Sequence, residues 1–291
     1  MNRDRNQTIA RLLIVLLCVC SIGRETVTVA DAGSRTKVTV IVADALARSA
    51  QPVRIESRVF QEGLLFGARG VGGERVLLEV NGDEVASSLT GGDGRAYFEF
   101  EPRRLGLFPM RVILSDSPRV LDAIGTGTLA VWERRRPILL VEQSVLLDHD
   151  AGPSGMTAAG RVLGEPSSGA AEALSRLGKF YFNLVYLMPP AADRAADASE
   201  YHAWLEANGF PSGVVQQVPP TGAALEAFIG TLKEQGWENL KAGVGSSEAF
   251  AQALVAHRLK VAIRTDKPRA DFPRRAKVVP DWTSVRKQLQ D

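Results

Sequence analysis

The feature that most narrows what this chain can fold into is a change of hydrophobic period at "ERRRP", Glu133 to Pro137. Upstream, from Lys37 to Trp132, lie the runs "KVTVIVAD", "VRIESRVF", "RVLLEV", "RAYFEF", "MRVILSD" and "GTLAVW". They alternate apolar and polar residues at period two, as half-buried antiparallel strands do. "VNGDEV" and "TGGDGRAYF" between them carry the Gly and Asn that tolerate positive φ, and read as hairpin turns. Short strands at this spacing predict a β-sandwich over residues 37–132.

Downstream of the linker at 133–137 the pattern is different. "ILLV" is a continuous apolar run, as a strand buried on both faces would be. "SGAAEALSRLGK" reads as a helix, "FYFNLVYLM" as a second buried strand and "ASEYHAWLEANG" as a helix closed by Gly209. "TGAALEAFIGTLKEQG" is a helix with Thr221 as its cap, followed by the strand "LKAGVG". "SEAFAQALVAHR" is helical, "LKVAIR" and "AKVVP" are strands, and "DWTSVRKQLQ" is a terminal helix. Strands alternating with helices predict an α/β domain over 138–291, a parallel sheet with helices on both faces. Ligands of such sheets bind beyond the carboxyl ends of the strands, here after Val141, Leu187 and Gly243.

The chain's 291 residues suffice for two domains, and a net charge of +2 with 45% hydrophobic content is that of an ordinary globular protein. No basic stripe of the kind that binds nucleic acid is present. Residues 1–32 read as a signal peptide or an N-terminal anchor. Arg3, Arg5 and Arg11 precede the apolar run "LLIVLLCVCSI", and Ala30-Asp31-Ala32 offers a small-x-small cleavage site. That run is short for a membrane span, although its distance from the cleavage site leaves an uncleaved anchor open. Both cysteines, Cys18 and Cys20, lie in this segment, so cleavage leaves no thiol chemistry. The expected location is outside the cytoplasm: periplasmic, secreted or held at a bacterial envelope. Contact with a membrane is expected only through an uncleaved N-terminus.

"SSLTGGDGRAYFEFEPRRLGLFPMRVIL" resembles a bacterial immunoglobulin-like domain, in which a Thr-x-x-x-Gly-x-Ala turn leads into a strand, a Gly-aromatic pair and a further strand. The second domain carries "LEANGFPSGVV", "GVGSSEAF" and "VVPDW" in that order. These resemble segments of the haloacid-dehalogenase-like (HAD) superfamily, closest to its lipid-phosphatase-like (phosphatidate phosphatase) members with an N-terminal β-domain. The resemblance implies a Rossmann-like parallel sheet. It also implies an Asp-x-Asp-Gly-Thr motif after the first strand, whose aspartates attack phosphorus, protonate the leaving group and hold Mg²⁺.

This sequence departs from that pattern at every strand end. Without gaps, "LVEQSVLLDHD" puts Val141 at the nucleophile and Gln143 at the acid, and neither side chain can do the work. Sliding by one puts Glu142 and Ser144 there, which is still not a carboxylate pair. Sliding by seven puts Asp148 and Asp150 in place, but requires Glu142, Gln143 and Ser144 to lie inside a central strand, where unpaired polar groups are costly. Met188 stands where the second strand should offer a hydroxyl, and it donates nothing. In "GVGSSEAF", Ser246 and Phe250 stand at the two metal-binding aspartate positions, and the one carboxylate left, Glu248, is too few for a hard cation.

What remains at that loop is a backbone turn. Gly243 and Gly245, with Ser246 and Ser247 opening a helix, form a candidate anion-binding loop, or the serines simply cap the helix. His149, His202 and His257 show no metal-ligand spacing, and His202 with Trp204 could edge a pocket. Two functional expectations follow. The leading one is an exported, non-catalytic binding or scaffolding protein with a pseudoenzyme domain, no cofactor, and a protein or small anionic ligand as partner. The alternative is a divergent Mg²⁺-dependent phosphatase acting on phosphate esters, phospholipid among them, through Asp148 and Asp150.

Overall fold

The computed structural model describes residues 35–63, 67–148, 164–190, 198–265 and 267–290. Residues 37–132 form β1 (Thr39–Val42), β2 (Ala45–Ala47), β3 (Val53–Gly63), β4 (Gly67–Gly70), β5 (Arg75–Val80), β6 (Asp83–Leu89), β7 (Arg95–Phe100), β8 (Gly106–Leu114) and β9 (Ala123–Val131), of which β2, β4 and β6 lie outside the period-two runs. One sheet holds β1, β3, β4 and β7; the other is ordered β2-β9-β8-β5-β6. Alternate residues of the two sheets meet in one core, Val40, Val42, Ile55 and Phe98 against Val76, Leu78, Met110 and Leu129. This is the expected β-sandwich.

Its two glycine turns behave differently from each other. Asn81 and Gly82 both take positive φ and join β5 to β6 as a tight hairpin. "TGGDGRAYF" was expected to be another hairpin, but it carries the chain from β6 in one sheet to β7 in the other. The turn passes so close to β3 that a Cβ on Gly94 would strike the Val59 carbonyl oxygen. Close backbone approach and a φ of +79° are what require glycine at Gly94.

After residue 137 the strands are β10 (Ile138–Glu142), β11 (Asn183–Met188), β12 (Val214–Gln217), β13 (Leu240–Gly245), β14 (Lys260–Arg264) and β15 (Lys277–Val279). They form one sheet, ordered β12-β11-β10-β13-β14-β15, with every neighbouring pair parallel. The helices are α1 (Gln143–Leu146), α2 (Ala170–Phe180), α3 (Ala198–Ala207), α4 (Gly222–Glu234), α5 (Glu248–Ala256) and α6 (Trp282–Gln290). Leu139 and Val141 face a core built with α2, α3 and α6, while Ile138 and Leu140 face one built with α4 and α5. Burial on both faces explains why β10 reads as an unbroken apolar run. Thr221 caps α4, accepting from the Ala224 N–H. β12 was missed because its four residues, Val-Val-Gln-Gln, carry no period. Phe180, expected in a strand, ends α2 instead and is exposed.

The linker is not a loose tether. Asn239 donates to the carbonyls of Glu133 and Arg136, and Trp132 packs edge-on against Trp237 at 6.4 Å. Ala130 and Trp132 join the α4–α5 core, and Thr36–Asp291 forms one compact unit. A single carboxylate ties the two lobes most directly. Asp44, between β1 and β2, has a fully buried side chain. Its Oδ1 accepts from the Thr128 N–H of β9, and its Oδ2 accepts from the Val215 N–H of β12, each at 2.8 Å. His202 Nε2 of α3 lies 2.7 Å from Oδ2, and the Gln216 side chain donates to the Asp44 carbonyl. β12 is the sheet's edge, so Asp44 satisfies a backbone donor that would otherwise face the junction unpaired. Replacing Asp44 by Ala orphans both N–H groups and strips His202 of its partner. The expected cost is about 2–5 kcal/mol, read as a lower urea midpoint. Asp44→Asn, which keeps one acceptor oxygen, falls between the two.

Candidate functional site

The carboxyl end of the parallel sheet is where a ligand of such a fold would sit, and the first question is which residue ends β10. The strand stops at Glu142, and Gln143–Leu146 turns at once into α1. Val141 is buried in the core on the α2–α6 side, pointing away from any strand-end crevice. Met188, at the end of β11, is buried in that same core. Gln143 opens α1, its Oε1 buried and without a partner among the described residues. Asp148 lies beyond α1, where its N–H donates to the Glu165 carbonyl and Leu147 bridges Pro166. It does not end a central strand. Asp150 and His149 lie outside the described residues.

Glu142 is the residue that reaches the glycine–serine loop. Its side chain runs toward the start of α5, and Oε2 accepts from the backbone N–H groups of Ser246 and Ser247 at 2.8 and 3.1 Å. The Ser247 hydroxyl donates to Oε1 and accepts from the Phe250 N–H, so it also caps the helix. Ser246 donates to Ser144 at 2.7 Å. Only 7% of Glu142 is exposed. The turn therefore does bind an anion, but the anion is the protein's own carboxylate, placed where two free N–H groups and the helix dipole favour negative charge.

The glycines of "GVGSSEAF" have a packing reason that the sequence reading did not contain. Phe250 is fully buried in the core on the α4–α5 side, and its ring lies under β13. A Cβ on Gly245 would come within 2.5 Å of that ring and 2.6 Å of Glu142 Oε2, and one on Gly243 would strike the Leu254 side chain. Gly243 and Gly245 thus make room for Phe250 and for the carboxylate. Phe250, at the position where the resemblance implies a metal-binding aspartate, is a core aromatic.

Mg²⁺ does not fit the donors assembled here. Both oxygens of Glu142 already accept N–H or O–H hydrogens, and a hard cation needs several oxygen ligands. Among the described residues no three His, Cys, Asp or Glu side chains converge as a metal site would require. His257 lies 3.5 Å from Lys233. His202, paired with Asp44, lines a cavity of about 440 Å³ at the lobe junction, and Trp204 stacks between Tyr201 and Phe210. No helix among the described residues is long and apolar enough to cross a membrane.

No family model matches the chain, and no curated protein matches it. Solved structures are similar only distantly. Fibronectin(III)-like modules from Clostridium thermocellum align at 14% identity over 32% of this chain and 94% of theirs, with a TM-score of 0.23. A CARDB domain from Pyrococcus furiosus aligns at 15% over 35% of this chain and 97% of its own, TM-score 0.24. A family 123 glycoside hydrolase from Clostridium perfringens aligns at 10% over 77% of this chain and 59% of its own, TM-score 0.21. Likeness this low assigns no function, and the sandwich rests on the chain's own strand pairing.

Two substitutions test the strand-end arrangement. Glu142→Ala leaves two part-buried N–H groups and the Ser247 hydroxyl without their acceptor, at about 1–3 kcal/mol in all; Glu142→Gln retains an acceptor and loses less. Chemical denaturation resolves the order. Gly245→Ala forces the Phe250 ring and the carboxylate apart and lowers stability by about 1–3 kcal/mol, with Phe250→Leu in the same chain recovering part of the loss.

Proposed function

We propose that this is an exported, non-catalytic binding or scaffolding protein: an immunoglobulin-like sandwich fused to a HAD-like α/β domain whose phosphatase chemistry has been replaced. The observation that carries this reading is the Glu142 carboxylate lodged against the Ser246 and Ser247 N–H groups. In an active member, a strand-end aspartate would attack a phosphoryl group held by metal and loop donors. Here the strand-end carboxylate is spent on those donors itself. A second negative group brought to the same place would meet a buried like charge that no ion pair among the described residues offsets.

The strand-end chemistry supports the same reading residue by residue. Val141, Met188 and Phe250 are core side chains, and Gln143 is an amide at the start of α1. The chain's partner under this reading is a protein or a small anionic ligand. Export rests on the N-terminal residues 1–32, which lie outside the described region.

The test is turnover. The full chain, incubated with p-nitrophenyl phosphate and with a short-chain phosphatidate in the presence of Mg²⁺, is expected to release phosphate no faster than buffer. Release that is abolished by the double substitution Asp148→Asn, Asp150→Asn would overturn the proposal and establish the phosphatase alternative.

A further inference from the structure

The outer face of the β1–β3–β7 sheet breaks a rule of strand pairing at one row. β3 and β7 run antiparallel, and their register sets Arg54 opposite Glu99, Glu56 opposite Tyr97 and Arg58 opposite Arg95. The first row pairs opposite charges, whereas the last sets two arginines opposite one another. Like charges directly opposite one another on a sheet are destabilising. Arg95 is compensated, with Glu56 at 2.5 Å and Asp93 at 3.4 Å. Arg58 makes no ion pair among the described residues. On its other side it faces Ile41 of β1, and its Nε is buried with no hydrogen-bond partner among the described residues. The Phe60 ring lies 5.9 Å from its guanidinium carbon.

Both arginines line a cavity of about 320 Å³ at the junction of the lobes, closed on the far side by Ala198 of α3 and by Gln216 and Gln217 of β12. Ligand sites favour such junctions, and this volume lies at the small end of their usual range of roughly 300–1,000 Å³. Glu56 is engaged by Arg95, and Asp44 by two N–H groups and His202, so the acids of this wall are already paired. A partly buried cation left unpaired beside a second cation is a local conflict of the kind that persists at functional sites. Guanidinium groups in that arrangement match the paired oxygens of a carboxylate or phosphate.

We infer that the junction cavity binds a small oxyanion-bearing molecule, a carboxylate or a phosphate, with Arg58 as its anchor and Arg95 as the second donor. The anion supplies the acceptor that Arg58 lacks and is held between the sandwich and β12. This site is distinct from the strand end at Glu142 and does not depend on whether the strand end is catalytic.

The experiment follows thermal unfolding of the full chain titrated with sodium phosphate and, separately, with sodium succinate, at ionic strength held constant with sodium chloride. Saturable stabilisation by at least one anion is expected. Phosphate alone acting identifies a phosphate ligand, and succinate alone acting identifies a carboxylate. Arg58→Gln should weaken the apparent affinity about 10- to 100-fold while leaving the ligand-free protein folded and at least as stable, because it removes a like-charge contact. Arg111→Gln, on the other sheet and paired with Glu79, should change nothing in the titration. No saturable effect of either anion, or an effect that survives Arg58→Gln, overturns the inference. The readout is ligand-linked stability, so its failure leaves the strand-end reading untouched.

Discussion

The structure depends most on how the open edge of the parallel sheet is closed. β12 ends that sheet, and an edge strand in a junction cannot leave its N–H groups to water. Asp44 solves this by accepting from Val215 on one lobe and from Thr128 on the other, with His202 beside it. A buried carboxylate is tolerated only when its oxygens are occupied, and these are. Once that contact exists, the outer face of the four-stranded sheet and β12 face each other across a cleft. The Arg58–Arg95 cavity is a consequence of the same packing.

A second carboxylate works the same way at the end of the central strand β10. Glu142 takes the free N–H groups at the start of α5, and Gly245 gives it room between the loop and the Phe250 ring. In both places the protein fills a backbone donor site with an acid of its own. The difference lies in what surrounds them. At the Ser246–Ser247 turn both oxygens of Glu142 fill the free donors, whereas across the junction the buried Arg58 Nε has no acceptor among the described residues. Occupancy of the donors therefore separates a site that is filled from one that remains open to a ligand.

Much of the architecture was legible from period alone. Alternation at two located six strands of the sandwich, and the apolar run "ILLV" located a strand covered on both faces, because burial pattern follows directly from strand geometry. Short elements escaped, β2, β4 and β12 spanning too few residues for a period to register, and so did β6, whose seven residues are polar and mostly unburied. The turn "TGGDGRAYF" was recognised as a turn but joins different sheets, since local φ preferences do not say which strand comes next to which. At the strand end, residue types left the Val141–Gln143 and Asp148–Asp150 registers both open, and only the structure ends β10 at Glu142. The role of Glu142 was not legible either, although it stood in the quoted motif, because nothing in a register of residue types says where a flexible carboxylate reaches.

The sequence by itself determined the two kinds of layer and the helix cap at Thr221. These depend on residue type and on spacing within one segment. Only the tertiary structure decided that Asp44 would meet Val215, that Glu142 would occupy the Ser246–Ser247 turn, and that Arg58 would stand opposite Arg95. Each of those pairs is far apart along the chain, and their energy comes from desolvation and charge at a shared place. That place exists only after strands have been ordered and lobes docked, so no local pattern could have carried it.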